Sequence, residues 1–254
     1  MPGTVLVSYQ WAPSAQDTVV TQDGRIDVSR ASAGLSESDQ VAIEFARGLA
    51  DAAGARLVAI GVGSEAVSSG LAVKAVASRG PDEVVVVTDA TPTTTSVAHA
   101  LAAQAMAADE LVAIVLGDAS ADHGTRMVPA LVAGLLGRPL LADVRSVSLG
   151  DPAAVVSKFA GGTQTLQVSG SPLVISVAPD AVTPRVPGMR DILAAAKKPL
   201  QVVEPPARPI GATLATVSVA PISAPSRGGR LIEADTAAQA AEQLLRELSQ
   251  AGVL

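Results

Sequence analysis

The sequence predicts an α/β fold built on a doubly wound, mostly parallel sheet. Short unbroken apolar runs, such as Leu111–Leu116, are typical of strands that are buried on both faces. In the first half of the chain these runs alternate with longer segments whose apolar residues recur at helical spacing. The composition agrees with this fold, because 48% of the 254 residues are hydrophobic and only 2% are aromatic, which suits a core of Ala, Val and Leu.

Four strand-and-helix units are predicted in the first half. The strands are Thr4–Ser8, Arg56–Val62, Pro81–Asp89 and Leu111–Leu116, and the helices run from Ser36 to about Ala53, from Gly63-Ser64-Glu65 onward, from Pro92 to Ala107 and through Met127–Leu136. Ser36 and Ser64 are the predicted caps of the first two helices, since a serine oxygen accepts from the free N–H groups of a first helical turn. Asp23-Gly24, flanked by short apolar segments, predicts a small hairpin.

The second half has a different pattern. The predicted strands Ala142–Leu149, Ala154–Phe159, Thr163–Val168 and Leu173–Val177 are closely spaced, which favours hairpins that extend the sheet. A short helix over Asp191–Lys198 and a strand over Leu200–Val203 follow. Pro205–Pro225 is Pro-rich and is predicted to be an extended arm, and Ala234–Ala251 is an amphipathic helix. We therefore expect an α/β domain over residues 1–204, and an arm with a terminal helix over residues 205–254.

The composition also excludes several function classes. The formal net charge is −6 with no basic run, which argues against a nucleic-acid partner. No segment has the ~18 consecutive apolar residues of a membrane span, so we expect no membrane insertion and a cytoplasmic location. Cysteine is absent, which excludes disulfides and thiolate metal sites. Two histidines without a nucleophile or paired carboxylates predict neither a metal site nor catalytic residues.

The most informative segment is Leu111–Pro139, in which a strand, a loop of small residues and a helix follow one another. The start of such a helix can bind a phosphate, because free N–H groups point outward and the backbone can approach closely. A plain strand-to-helix turn has the same pattern. In a doubly wound sheet, ligands bind where the strands end, here at Ser8, Val62, Asp89 and Gly117-Asp118.

Several segments together resemble the beta subunit of electron transfer flavoproteins. They are SESDQVAIEFA, GDASADHGTRMVPALVAGLLGRP, FAGGTQTLQV with LVISV, and RVPGMRDILAAAKKPLQVV. The resemblance implies an adenine-nucleotide-binding, Rossmann-like fold in an electron carrier that is not itself an enzyme. It implies a heterodimer with an alpha subunit, an FAD shared with that subunit, and an AMP or a second FAD in this chain. A flavin-dependent dehydrogenase would be the electron donor. The alternative is a stand-alone adenine-nucleotide-binding or regulatory module without electron transfer.

Position by position, the resemblance assigns nucleotide contacts to the strand ends, to the start of the first long helix and to the loop after the fourth strand. These residues are Ser8, Ser36, Glu37, Ser38, Asp39, Val62, Gly117, Asp118, Ala119, Ser120, Ala121, Asp122, His123, Gly124, Thr125, Arg126, Met127 and Val128. The resemblance also implies a loop, within residues 179–199, that docks onto the dehydrogenase. Met189 takes the place of the family's anchoring leucine, and Arg185, Pro187 and Gly188 shape the loop.

The sequence departs from the family where the nucleotide is expected. Ser36-Glu37-Ser38 replaces an Asn-Pro-Phe, so an aromatic side chain near the flavin is lost. Val128 and Pro129 replace a hydroxyl residue and a glycine, and proline has no N–H. Asp39, Asp118 and Asp122 would repel a phosphate, whereas the guanidinium of Arg126 could restore a positive charge. Tyr9 and Trp11 could contact a flavin or fill the core. Lys197-Lys198 are predicted to be solvated at a helix end, and the alternative is a contact with a partner.

Overall fold

A computed structural model describes residues 3–253, apart from residues 22, 24, 121–123 and 208–228. Within these residues the strands are β1 (Thr4–Tyr9), β2 (Ala12–Pro13), β3 (Val19–Val20), β4 (Ile26–Asp27), β5 (Ala33–Gly34), β6 (Arg56–Gly63), β7 (Glu83–Thr88), β8 (Leu111–Gly117), β9 (Leu140–Ser148), β10 (Ala153–Phe159), β11 (Gly162–Val168), β12 (Leu173–Val177) and β13 (Leu200–Val203). The α-helices are α1 (Glu37–Ala53), α2 (Gly70–Ala77), α3 (Thr94–Ala107), α4 (Met127–Leu135), α5 (Met189–Ala195) and α6 (Ala237–Gln250).

The described strands form a nine-stranded central sheet in the order β11-β10-β9-β12-β8-β1-β6-β7-β13. From β9 to β13 all neighbouring pairs are parallel. The chain passes from β1 to β6 and β7 on one side, then returns to place β8 on the other side of β1. The predicted doubly wound α/β sheet is therefore confirmed, and its strand order reverses between β1 and β8.

Two apolar cores lie on the two faces of this sheet. Alternating residues of β1 and β8 supply both, with Val7 on one face and Leu6 on the other. The first core packs α1, α2 and α5 against the sheet, and Ile43 of α1 is fully buried in it. The second core packs α3 and α4, through residues that include Leu101 and Val132. Helices thus cover both faces, which explains why the central strands are continuous apolar runs.

Helix α1 begins as predicted, because the Asp39 N–H donates to the Ser36 oxygen at 3.1 Å. The predicted cap of the second helix is wrong. Ser64 makes no side-chain capping bond and is followed by one turn of 3-10 helix, Glu65–Ser68. Ser69 caps α2 instead, accepting from the Ala72 N–H at 3.3 Å. Each serine stands three residues before a residue whose backbone N–H can donate to a capping oxygen. The local sequence therefore does not show which of the two serines caps the helix.

The hairpin prediction for the second half holds for three of its four strands. β9 pairs antiparallel with β10, and β10 pairs antiparallel with β11 at the edge of the sheet. β12 instead inserts between β9 and β8 and is parallel to both. Burial gives the reason, because all five residues of β12 are buried whereas β11 has no buried residue. The small hairpin of β3 and β4 forms as predicted.

Among the residues that the structure describes, no helix combines the length and the apolar character needed to cross a membrane.

Candidate functional site

Strands β1, β6, β7 and β8 end at one edge of the sheet, and the predicted site residues follow those ends. Ser8 lies opposite Ile60 in the register of β1 and β6, and Val62 lies opposite Val87 of β7. On the other side of β1, β8 ends at Gly117. This edge includes the point where the strand order reverses, which is where ligands bind in open α/β sheets.

The first turn of α1 packs closely against the end of β8. A Cβ atom at Gly117 would lie 3.2 Å from the Cβ of Ser38 and 3.3 Å from its carbonyl oxygen, so a side chain at this position would press on the helix. Ser36 donates its hydroxyl to the Asp39 carboxylate at 2.7 Å while it caps the helix. The structure thus brings Ser36–Asp39 and Gly117 together at the candidate site.

Asp118 follows Gly117, and it is only 7% exposed. Its Oδ2 atom lies 3.0 Å from Nη2 of Arg126, which is mostly exposed. The pKa of Asp118 lies above its ordinary value, mainly because the carboxyl is buried. The Arg126 guanidinium lowers this pKa, and the negative charge of Asp143 raises it. Asp143 has a φ of 51° and lies in β9 at a register shift against β12, which places its charge near the end of β8. Arg126 is therefore bound to a buried carboxylate of its own chain.

The β8–α4 loop, residues 118–126, is only partly described. Ala119 and Ser120 are half-buried, and the Gly124 N–H donates to the Ser120 carbonyl at 3.1 Å. Thr125 is exposed. The predicted contacts at Ala121, Asp122 and His123 lie outside the described residues, so their roles stay predictions.

The first turn of α4 has few groups that could donate to a ligand. Arg126 precedes the helix with a φ of 54° and makes no side-chain capping bond. Met127 is exposed and Val128 packs partly against the second core. Pro129, the third residue of the helix, is buried and has no N–H.

Two other residues at this edge of the sheet have structural roles. The Asp89 carboxylate accepts from the Thr91 N–H at 3.0 Å and from the Ser96 hydroxyl at 2.8 Å, and it thereby fixes the start of α3. Val62 is buried in the second core. Their position at strand ends therefore has a structural explanation.

Tyr9 is buried at the end of β1, and its ring lies on the backbone of Gly61. A Cβ atom at Gly61 would lie 2.4 Å from the Cζ atom of Tyr9. Among the described residues, the Tyr9 hydroxyl has no hydrogen-bond partner, and burial raises the pKa of the phenol. Trp11 is partly buried against the same core. Of the two predicted roles for these aromatic residues, the structure shows core packing.

A second surface of interest is the segment of residues 179–199, called the docking segment below. Arg185 forms a bidentate ion pair with Glu44 of α1, through Nε to Oε2 at 2.6 Å and Nη2 to Oε1 at 2.8 Å. This hydrogen bond is the main reason why the pKa of Glu44 lies below its usual value. The segment is thus attached firmly to the body of the domain.

Beyond Arg185 the docking segment presents apolar side chains to solvent. Val186 is 91% exposed and Met189 is 73% exposed, and Leu193 is also exposed. Helix α5 begins two residues earlier than predicted, because the Gly188 N–H donates to the Asp191 carboxylate at 2.8 Å and caps the first turn. This cap fixes the position of Met189 at the start of the helix.

Lys198 corrects one prediction, since it is half-buried and not solvated. Its ammonium donates to the carbonyl of Ala77 at 2.9 Å and to the carbonyl of Pro81 at 2.6 Å, and burial lowers its pKa. Lys197 is exposed. Lys198 therefore ties the end of the docking segment to the end of α2.

Helix α6 has an apolar face that the described residues leave uncovered. None of its residues is buried, and Leu244 and Leu245 are 48% and 55% exposed. Ala241 and Leu248 lie on the same face at helical spacing. The predicted arm of about Pro205–Arg230 lies outside the described residues from 208 to 228.

Two contacts described above escape sequence analysis. Glu44 and Arg185 are 141 residues apart, and Lys198 and Ala77 are 121 residues apart, so no local pattern connects them. The position of Asp143 does have a sequence signal, because an acidic residue inside the apolar run of a strand indicates a bulge.

Comparison with known families identifies a relationship over most of the chain. Residues 24–208 match the family model of the electron transfer flavoprotein domain. The match spans well over half of the 254 residues and includes the β8–α4 loop and the docking segment, whereas α6 lies beyond it.

Proposed function

Since the chain belongs to the electron transfer flavoprotein domain family, we propose that it is the beta subunit of a heterodimeric electron transfer flavoprotein. In this role it carries electrons from a flavin-dependent dehydrogenase to a downstream acceptor and catalyses no reaction of its own. Residues 1–204 form the body of the subunit, and residues 205–254 bind the alpha subunit. The observation that carries the proposal is the apolar face of α6, which the described residues leave uncovered.

An amphipathic helix of this kind needs a partner. In water, a short helix gains most of its stability by burying an apolar face. Among the described residues, nothing buries Leu244 or Leu245. An apolar groove on the alpha subunit would supply that burial.

The docking segment fits the dehydrogenase contact. Met189 and Leu193 are exposed on α5, while Arg185 and Lys198 fix the segment to the body. A methionine adapts to irregular apolar surfaces, and a pre-ordered segment loses little entropy when it binds. Such a contact favours rapid and reversible docking.

FAD, held mainly by the alpha subunit, supplies the redox chemistry when it is bound. From this chain, Ser8 and the first turn of α1 would face it at the carboxyl edge of the sheet. These residues suit an uncharged part of the cofactor, because the Asp39 carboxylate would repel a phosphate. The Ser36 hydroxyl donates to this carboxylate and holds it in place. Ser38 stands where the family has an aromatic ring.

Co-expression with the alpha subunit of the same organism tests the proposal. We expect a complex of the two chains that is yellow and that is reduced by a flavin-dependent dehydrogenase. If this chain purifies alone as a colourless homo-oligomer while the alpha subunit is soluble beside it, the proposal is wrong and the stand-alone module takes its place.

A further inference from the structure

A nucleotide phosphate at the β8–α4 loop would require free N–H donors and net positive charge. The first turn of α4 lacks one donor at Pro129, and Val128 has no hydroxyl to replace it. The family's AMP or second FAD needs both features.

The charges around the loop do not fit a phosphate. Among the described residues of this loop, Arg126 is the cation, and its guanidinium is already bound to the buried Asp118 at 3.0 Å. If Arg126 turned to a phosphate, Asp118 would remain as a buried carboxylate without its partner and near Asp143. Only the carboxylate of this pair is buried, and a buried charge that loses its partner is unfavourable. A phosphate that left the pair intact would meet a guanidinium that Asp118 already neutralises.

We infer that the Asp118–Arg126 ion pair closes the β8–α4 loop to nucleotide phosphates, so that this chain binds neither AMP nor a second FAD. The ion pair replaces the interaction that a phosphate would make with the loop. The inference deepens the proposed function, and it rests on that function for its expectation of one shared FAD. It also departs from what the resemblance to the family implies.

The first experiment measures the nucleotide content of the purified heterodimer. The complex is denatured, and the released nucleotides are separated by chromatography and quantified against the protein. One FAD per heterodimer and no AMP would support the inference. A stoichiometric amount of AMP, or two FAD, would overturn it. Absence of FAD with absence of AMP would count against the proposed function and still support the inference.

The second experiment tests the cause with an isosteric variant. Titration calorimetry with AMP compares the wild-type complex with Asp118→Asn, which keeps the shape of the side chain and frees Arg126. Removal of one opposing charge should strengthen AMP binding tenfold or more, since like charges brought together cost several kilocalories per mole, and each 1.4 kcal/mol is about tenfold. We expect no binding by the wild type at about 1 mM AMP.

Asp109→Asn is the matched control, because Asp109 is exposed in the turn at the opposite end of β8. It should behave like the wild type. If Asp118→Asn gains no affinity over Asp109→Asn, the ion pair is not what closes the loop and the inference fails. Unchanged melting temperatures of the two variants would exclude misfolding as the cause.

Discussion

Replacement of Lys198 by methionine removes one charge and two hydrogen bonds at the end of the docking segment. The ammonium donates to the carbonyls of Ala77 and Pro81, at 2.9 and 2.6 Å, and both of these residues are buried. Methionine keeps the length and much of the apolar stem of lysine. The variant therefore tests the two hydrogen bonds with little change in packing.

The expected loss of stability follows from these contacts. A hydrogen bond from a charged donor contributes about 1.5–3 kcal/mol, and a buried carbonyl that loses its donor adds a desolvation penalty. Two effects reduce the sum. First, burial lowers the pKa of Lys198, because the charged ammonium loses part of its hydration in the folded protein. Second, water can reach this half-buried site and replace part of the lost hydrogen bonding. We expect a net loss of about 1–2 kcal/mol, which lowers the melting temperature of a domain of this size by about 2–8 °C.

Lys197→Met is the matched control, because it removes the same charge from the neighbouring exposed position. Its effect on stability should stay within about 0.5 kcal/mol. Thermal unfolding of the two variants and hydrogen exchange of the α5 amides measure the difference, and exchange should accelerate only in Lys198→Met. Equal melting temperatures and equal exchange in the two variants would refute the assigned role of Lys198.

Three further predictions concern the partner surfaces and the Glu44 carboxylate. Met189→Ala should slow electron transfer from the dehydrogenase severalfold and leave the heterodimer intact. Met106→Ala, at a similarly exposed methionine on α3, should not change the rate of electron transfer. Stopped-flow flavin reduction distinguishes the two variants. Leu245→Asp should prevent co-purification with the alpha subunit, and Gln243→Asp, on the opposite face of α6, should not. The pKa of Glu44 lies below its ordinary value of 4.5, so its ion pair stabilises the fold above that pH and the benefit disappears as the pH falls through the lowered pKa. Glu44→Gln should therefore lower stability by about 0.5–1 kcal/mol at pH 7 and by progressively less as the pH falls below 4.5, measured by urea unfolding. A difference that stays constant with pH would contradict this.

Local signals were sufficient for most of the fold. The Ser36 cap, the hairpin of β3 and β4, and strand Leu200–Val203 all depend on residues a few positions apart, and all three appear as predicted. The position of β12 did not follow from such signals, because neighbours in the sequence favoured a hairpin. Complete burial of its five residues decided its place. That is a property of the assembled sheet.

The candidate site was predictable in location and less so in chemistry. Topology alone placed Ser8 and Gly117 at the edge where the strand order reverses. The partner of Arg126 was not predictable, because a guanidinium beside a loop could face a ligand or its own chain. Only the folded geometry, with Asp118 buried 3.0 Å away, distinguishes the two.

The attachment of the docking segment also has a consequence for the order of folding. Its contacts join Arg185 to Glu44 and Lys198 to Ala77, over 141 and 121 residues. Closing loops of this length is entropically costly until the helices that receive the contacts have formed. Under the proposed function, a dehydrogenase would therefore meet a complete docking segment only on chains in which α1 and α2 are already folded.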